Sequence, residues 1–333
     1  MSKSEAPILA VDLGGSKCEL AVYQPDGSFS GFVRLASRDF TNVLAILRRY
    51  QTEHPLPRHL ALAVAGPVDG DNAHLTNLGW DVSGEEIRQT FGLELLYLCN
   101  DLTALCAAIP ALPDDALVTL QAGKRRADAP AAVLAPGTGL GEGMLIMGDG
   151  YQRAIGGEGG HADFAPVNDE QIELLRSMRR RHRSVSYEML VSGPGIARLF
   201  DYYRKTSGET PKAEVAVRLD AATDQTPVII EAALAQDYCP LCRKTLNLFL
   251  EILGAEAGNL ALKLYARNGL YLAGGVLPRL IGRISFAPFL AAFSNKTMMA
   301  ALLATIPIHL VRHPHPVLVG AAQLAIAKQK QDG

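Results

Sequence analysis

The sequence predicts an α/β protein with two lobes. Its 333 residues exceed the usual size of a single hydrophobic core, and its apolar fraction of 48% is typical of a soluble globular protein. One order of elements occurs twice: short strands folded around a glycine-rich turn, followed by mixed strands and helices. Such a repeat indicates two duplicated lobes that face a cleft.

Two glycine-rich turns are the most informative features of the chain. The first is DLGGS at residues 12–16 and the second is GTGLG at residues 137–141, and each follows a short apolar run typical of a strand. Because glycine has no Cβ, backbone N–H groups at such turns can approach phosphate oxygens. Either turn alone is also explained by a tight hairpin that needs positive φ, but the pair favours a polyphosphate site. Neither turn matches a P-loop or a Rossmann motif.

The first lobe begins with three strand-like runs and a helix from about Thr41 to Gln51. A strand follows at His59–Val64, and Ser83 with Glu86 forms a capping box for the next helix. The strand Leu95–Leu98 then leads to an aspartate at its carboxyl end, where open α/β sheets hold their active sites.

The second lobe repeats the strand pattern around the second turn and then becomes strongly helical. Its helices are predicted at residues 169–178, 195–205, 228–234 and 241–265, with strands at 269–273 and 306–311 and a closing helix at 317–328. We expect a small lobe of residues 1–110, a large lobe of residues 111–320, and a C-terminal helix and tail at 321–333 that returns towards the small lobe.

The net charge of −2 gives no electrostatic basis for binding nucleic acid or an anionic membrane, so we expect neither as a partner. The basic cluster Arg179–Arg183 is interpreted as a solvated face or loop. No apolar stretch approaches a membrane span, and Met1–Pro7 is too short and polar for a signal peptide. Five cysteines are consistent with reduced thiols, and Cys239 and Cys242 are interpreted as helix neighbours, so we expect a cytoplasmic protein.

The chain resembles the bacterial glucokinases of the proteobacterial type, within the superfamily of sugar kinases, actin and the chaperone ATPases. The resemblance covers nearly the whole length, and GEGGHADFAP is its most specific part. It is carried by VDLGGS at 11–16, LTNLGWDVS at 75–83, CNDLTALCAAIP at 99–110, APGTGLGEG at 135–143, GGEGGHADFAP at 156–166, YEMLVSGPG at 187–195 and LAGGVLPR at 272–279. It implies the two-lobed actin-like, ribonuclease H-like ATPase fold, and transfer of the γ-phosphoryl group of ATP to the 6-hydroxyl of glucose.

The resemblance also implies roles for single residues. Asp101 is the implied general base for the sugar hydroxyl, and N-capping of the following helix is its alternative or additional role. His161 could instead be a buried core histidine, Glu188 a surface helix residue, and Asn77 a brace for the sugar loop. The implied glucose-binding residues are Asn100, Asp101, Glu158, His161 and Glu188.

Glycines, hydroxyls and one carboxylate are the implied nucleotide ligands. Asp12 is expected to orient Mg²⁺ through water, because magnesium keeps much of its hydration shell. The late glycine pair would let the backbone approach the adenosine, or else serve a turn or close packing. The implied cofactor-binding residues are Asp12, Gly14, Gly15, Ser16, Gly137, Thr138, Gly139, Gly274 and Gly275.

Two residues depart from the family pattern. Lys17 stands where a neutral amide is common, and Glu142 follows the second turn, where we interpret it as a possible counter-ion of Lys17. These changes bear on the identity of the phosphoryl donor. The resemblance further implies a homodimer. Two other functions stay open: a kinase for another hexose, and a non-catalytic sugar sensor or regulator on the same fold.

Overall fold

The computed structural model describes residues 6–148 and 151–332, apart from the side chains of Tyr151 and Asp332. Most of the Met1–Pro7 segment, on which the expectation about a signal peptide rests, lies outside the described residues. The chain divides into two compact units. Unit 1 consists of the described parts of Met1–Ala116, Arg153–Gly156 and His313–Gly333, and unit 2 of the described parts of Leu117–Gln152 and Gly157–Arg312.

The described strands and helices are numbered in chain order. The strands are β1 (Ile8–Leu13), β2 (Lys17–Tyr23), β3 (Phe29–Ala36), β4 (His59–Val64), β5 (Val68–Asp69), β6 (Asn72–Leu75), β7 (Trp80–Ser83), β8 (Leu95–Asn100), β9 (Leu117–Gln121), β10 (Ala131–Pro136), β11 (Leu140–Gly148), β12 (Tyr151–Gly157), β13 (Gly269–Leu272) and β14 (Ile308–Val311). The helices are α1 (Val43–Gln51), α2 (Gly84–Phe91), α3 (Asp101–Ala108), α4 (Asp169–Arg179), α5 (Tyr187–Leu190), α6 (Gly193–Thr206), α7 (Ala213–Ala221), α8 (Thr226–Leu234), α9 (Pro240–Leu264), α10 (Ala287–Ser294), α11 (Ala300–Leu303) and α12 (Pro316–Asp332).

The main sheet of unit 1 has the strand order β3-β2-β1-β4-β8. β1 is antiparallel to β2 and parallel to β4, and β4 is parallel to β8. In this register Asp12 of β1 pairs with Ala63 of β4, which pairs with Cys99 of β8. The carboxyl ends of the three parallel strands therefore lie at one edge of the sheet, where β1 ends near Asp12 and β8 leads into α3.

The apolar faces of this sheet explain its packing. Leu9 and Val11 of β1 pack with Ile46 of α1 in one buried cluster. In a second cluster, alanines of β4 pack with alanines of α12, among them Ala61 and Ala325. Burying these side chains against the sheet stabilises the unit by about 25 cal/mol per Å² of apolar surface removed from water.

The second large sheet repeats this order as β12-β11-β10-β13-β14, with β9 added at the edge, and all of these strands except β12 lie wholly in unit 2. β10 is antiparallel to β11 and parallel to β13, and β13 is parallel to β14. The long helix α9 is buried along most of its length and packs in the core of this unit with Phe289 of α10. The repeated topology confirms the predicted duplication and the α/β fold class.

Most of the helices and strands were predicted from local sequence patterns. Ser83 caps α2 as predicted, since its Oγ accepts a hydrogen bond from Glu86 N at 3.3 Å. The sequence-based interpretation missed α7, β9 and the small antiparallel sheet β5-β6-β7. Nowhere in residues 6–148 and 151–332 does a helix combine the length and the hydropathy that crossing a membrane requires.

Candidate active site

Two aspartates lie at the carboxyl edge of the unit 1 sheet. Asp12 is near the end of β1 and half-buried, and Asp101 begins α3 directly after β8. Burial raises the pKa of Asp12 to about 7, and the Asp101 carboxylate contributes in the same direction, while Lys17 opposes them. Burial and the neighbouring carboxylate both disfavour the charged form of Asp12, and a nearby cation would favour it.

Asn100 is the N-cap of α3, which corrects the alternative interpretation that Asp101 caps this helix. The Asn100 Oδ1 accepts hydrogen bonds from Leu102 N at 3.0 Å and Thr103 N at 3.2 Å. Its Nδ2 donates to Gly66 O at 3.2 Å. Asp101 Oδ1 also accepts a bond from Leu102 N, at 2.8 Å. The first turn of α3 is thereby fixed, and with it the position of the Asp101 carboxylate.

Thr103 and Gly156 are site residues that the sequence-based interpretation did not assign. Gly156 N donates to Thr103 Oγ1 at 3.0 Å. A Cβ added to Gly156 would lie 2.7 Å from Asn100 Oδ1, so only glycine fits against the cap. The available signal was the position of Gly156 as the first residue of the GGEGGHADFAP segment.

The first glycine-rich turn is a hairpin between β1 and β2, closed by a bond from Gly14 N to Lys17 O at 2.9 Å. Neither Gly14 nor Gly15 has positive φ, so the backbone reason proposed for a plain hairpin is wrong here. A Cβ on Gly15 would instead approach Asn77 Cβ at 3.0 Å. Asn77 thus contacts the first turn, and the tight packing explains the glycine at position 15.

Lys17 forms an ion pair with Glu19 within unit 1. The Lys17 Nζ lies 2.8 Å from Glu19 Oε1. Glu19 is buried and also contacts Arg34 at 2.8 Å and His315 at 2.9 Å. Burial disfavours ionised Glu19, but hydrogen bonds from Lys17 and His315 outweigh it and lower the pKa of this carboxyl.

The second glycine-rich turn joins β10 to β11 and is closed by a bond from Gly137 N to Gly139 O at 2.8 Å. Neither glycine has positive φ. The Gly137 O accepts a bond from Gly193 N at 2.8 Å, which attaches the start of α6 to the turn. Among the described residues, no atom would lie within 4 Å of a Cβ on Gly137. Neither conformation nor packing among the described residues requires glycine at position 137.

Glu188 lies on α5 against the other end of this turn. Its Oε2 accepts a hydrogen bond from Leu140 N at 2.9 Å. A Cβ on Gly139 would collide with the same oxygen. The Glu188 side chain therefore packs against the turn while it remains 33% exposed.

Glu158, His161 and Glu188 come together in unit 2. The His161 Nε2 lies 3.8 Å from Glu158 Oε2, and its Nδ1 lies 4.0 Å from Glu188 Oε1. The His161 side chain is 62% exposed, which excludes the alternative of a buried core histidine. Two carboxylates and an imidazole supply the donors and acceptors that a ring of sugar hydroxyls requires.

Gly274 and Gly275, the late glycine pair, differ in backbone conformation and in packing. Gly274 has a φ of +84°, and a Cβ there would collide with Pro136 O, so turn conformation and close packing account for it. Gly275 has no positive φ, and a Cβ there would meet no atom of the described chain within 4 Å. Gly275 therefore resembles Gly137, since neither conformation nor packing among the described residues requires glycine there.

A buried acidic pair lies in unit 2 behind the Glu158–His161 loop. Glu142 Oε2 lies so close to Gly159 that a Cβ there would collide with it. Within the described part of the chain, the Oε1 atoms of Glu142 and Glu256 have no hydrogen-bond partner. Burial, followed by the charge of Glu256, raises the pKa of Glu142 to about 7. Glu142 thus supports the loop, and its burial beside Glu256 disfavours its charged form.

The described residues hold no group of three or more His, Cys, Asp or Glu side chains arranged to bind a metal ion. Mg²⁺ usually takes only one or two protein carboxylates together with substrate phosphates and water. The half-buried Asp12 carboxylate, next to the repelling charge of Asp101, has the chemistry for such a contact.

Similarity to known proteins shows the family to which this chain belongs. The glucokinase family model matches residues 9–328. A glucokinase from Chromobacterium violaceum is 37% identical, over 95% of this chain and 88% of its own length. The crystal structure of a glucokinase from an Antarctic psychrotroph has a TM-score of 0.81 and 33% identity, and the alignment covers 97% of this chain and 99% of the other. The chain belongs to the glucokinase family.

A more distant structure shares the fold. It is a ROK family glucokinase from Streptomyces griseus in complex with glucose and AMPPNP. Its TM-score is 0.66 at 20% identity, and the alignment covers 96% of this chain and 99% of that one. These matches confirm the predicted family and the predicted fold class.

Proposed function

We propose that this protein transfers the γ-phosphoryl group of ATP to the 6-hydroxyl of glucose, with Asp101 as the general base. The observation that carries the proposal is the position of Asp101 at the start of α3, beside the carboxyl edge of a parallel sheet, in a chain that matches the glucokinase family over residues 9–328. This edge is where open α/β sheets bind their ligands.

Asp101 accepts the proton of the 6-hydroxyl as that oxygen attacks the γ-phosphorus, and the bond from phosphorus to the ADP oxygen breaks. A general base of this kind contributes about 10²–10⁴-fold to the rate. Asn100 fixes the Asp101 carboxylate by capping α3, and its Nδ2, which already donates to Gly66 O, has a second N–H for the sugar.

Glu158, His161 and Glu188 hold the other sugar hydroxyls in this proposal. His161 lies 3.8 Å from Glu158 Oε2 and 4.0 Å from Glu188 Oε1, beyond hydrogen-bond distance of both, so these two oxygens can accept bonds from hydroxyls while Glu188 Oε2 keeps its bond from Leu140 N. A sugar that buries one of these polar groups without forming a hydrogen bond to it loses about 1–3 kcal/mol of binding free energy. An epimer of glucose should therefore bind roughly tenfold or more weakly.

The two glycine-rich turns hold the phosphates of ATP. The space beside the Cα atoms of Gly137 and Gly275 supports this assignment, since neither position needs glycine for its φ or for packing among the described residues. Gly14, Gly15, Ser16, Thr138 and Gly139 complete the turns, and Gly274 orients the backbone before Gly275. Asp12 would hold Mg²⁺ through water, and the ion would supply neutralisation of the phosphate charge.

We also propose a cytoplasmic homodimer. All five cysteines are buried and unpaired, which suits a reducing compartment. The dimer is an expectation from the family, and sedimentation velocity of the purified protein tests it.

The function is tested by a coupled assay of sugar phosphorylation with ATP and Mg²⁺, using glucose, mannose, fructose and N-acetylglucosamine. We expect the highest kcat/KM for glucose. A higher value for another sugar would identify a kinase for that hexose. Saturable glucose binding without turnover on any donor would identify a non-catalytic sensor and overturn the proposal.

A further inference from the structure

A cavity of about 520 Å³ lies in unit 2 between the carboxyl end of α4 and the outer face of α6, and none of its lining residues belongs to the candidate active site. Its volume falls within the range of small-molecule sites, roughly 300–1,000 Å³. It is lined by Ser177, Met178, Arg180, Arg181, His182, Ala197, Arg198, Asp201, Tyr202, Lys205 and Thr206.

The lining of this cavity is strongly basic. Three arginines, a lysine and a histidine face a single acidic residue, Asp201. Asp201 is already neutralised by Lys205 and by Arg204, whose NH2 lies 3.0 Å from its Oδ1. The excess of positive charge is local, because the chain as a whole has a net charge of −2.

The arginines of the cavity have no carboxylate partner. In the described ranges, no ion pair involves Arg180, Arg181 or Arg198, whereas Arg176, one turn earlier on α4, pairs with Glu173. Like charges gathered around a concavity repel one another, and a bound anion would remove that cost.

The dipole of α4 does not explain the cluster. The carboxyl end of a helix favours cations within its last turn. α4 ends at Arg179 with Arg180 as its C-cap, so Arg181 lies beyond the helix, and Arg198 belongs to α6. The dipole therefore accounts for the first basic residues of the run and not for those that complete the cavity.

We propose that this cavity binds a small metabolite that carries a phosphomonoester. Guanidinium groups match phosphate oxygens with paired N–H donors, and Arg180 and Arg181 supply them. Met178, Ala197 and Tyr202 form an apolar wall beside the arginines, which suits the ring of a sugar or a nucleoside. The cluster Arg179–Arg183, interpreted from sequence as a solvated face, is thereby divided into residues that line a site and residues that do not.

The division provides a matched control. Arg179 and Arg183 belong to the same basic run but do not line the cavity. Arg180→Gln with Arg181→Gln removes the same charge as Arg179→Gln with Arg183→Gln, and all four side chains are exposed, so both variants should fold. Arg198 is not substituted, because its NH1 donates to Met189 O at 3.0 Å and so anchors α5.

The test is isothermal titration of the full-length protein, saturated with glucose and AMPPNP, with glucose 6-phosphate, AMP and inorganic phosphate in turn. We expect saturable binding of a phosphomonoester, weakened about tenfold or more in the Arg180/Arg181 variant and less than about twofold in the Arg179/Arg183 variant. Equal weakening in both variants would show a non-specific basic face. Absence of saturable binding up to about 10 mM of every probe would also overturn the proposal. The result is independent of catalysis, because no outcome requires turnover.

Discussion

The Asp101 carboxylate raises the pKa of Asp12, although the strands that lead to these residues are separated by β4. The relationship follows from topology, because β1, β4 and β8 are parallel and end at the same edge of the sheet. One strand between them brings two aspartates near enough to repel. The fold thus concentrates negative charge where the proposed reaction requires a metal and a base.

Asp12→Asn should stabilise the protein above pH 7 while it impairs catalysis. The native pKa is raised from 3.8 to about 7, so folding opposes ionisation, and the native state loses stability as pH rises from about 4 to 7. Asparagine does not titrate. The free energy of unfolding of the variant should therefore exceed that of the parent by on the order of 2 kcal/mol at pH 8 and should equal it below pH 4. Urea unfolding at the two pH values measures this.

The same variant should show kcat/KM for MgATP lower by about tenfold or more, since the water-mediated contact to Mg²⁺ is lost. Unchanged kinetics with MgATP would contradict the assignment of Asp12 to the nucleotide site, whatever the effect of the substitution on stability.

Gly137→Ala and Gly139→Ala should have different effects, although they change the same turn. A Cβ on Gly139 collides with Glu188 Oε2, so Gly139→Ala should displace Glu188 from Leu140 N and raise the KM for glucose about tenfold. A Cβ on Gly137 meets no atom of the described residues, so Gly137→Ala should leave the melting temperature unchanged and raise the KM for ATP. Steady-state kinetics with each substrate varied in turn separates the two.

An unchanged KM for ATP in folded Gly137→Ala would contradict the assignment of this turn to the nucleotide. A raised KM for glucose in that variant, with ATP unaffected, would instead point to the sugar.

Glu142→Gln should stabilise the protein at neutral and alkaline pH. The native pKa is raised from 4.5 to about 7 by burial and by Glu256, so stability falls as pH rises between these values and is level above pH 7. The free energy of unfolding of Glu142→Gln should exceed that of the parent by on the order of 2 kcal/mol above about pH 7. This difference should vanish below about pH 4.5. Urea unfolding across this range tests the sign. A variant less stable than the parent at pH 8 would show that the carboxylate has a partner that stabilises its charge.

Features with a strong local signal were predictable from the sequence, and those decided by distant contacts were not. Ser83 was identified as a cap because Glu86 completes its motif. Asn100 and Asp101 are both good N-cap residues, so only the backbone could decide which one caps α3. The sequence-based interpretation did not identify Glu19, two positions along β2, as the ion-pair partner of Lys17. The sequence alone does not show which carboxylate of the chain lies nearest to the lysine.

Buried charge was the least predictable feature of the candidate site. Glu256 lies within the long apolar helix α9, where sequence gives no sign that it is fully buried or that its charge raises the pKa of Glu142. The Gly139–Glu188 contact likewise joins residues far apart in the chain. The sequence motifs predicted a functional role for both residues. Only the fold shows that the missing Cβ of Gly139 leaves the space that the Glu188 carboxylate occupies.

The central claim, that Asp101 is the general base of a glucose kinase, is tested most directly by Asp101→Asn, with Asp114→Asn as an exposed control of the same chemical change in unit 1. Coupled assays give kcat, and titration calorimetry gives the Kd for glucose. We expect Asp101→Asn to lower kcat by about 10²–10⁴-fold and to change the glucose Kd by less than about threefold, with Asp114→Asn unaffected. A kcat within tenfold of the parent enzyme, at unchanged glucose affinity, would contradict the claim.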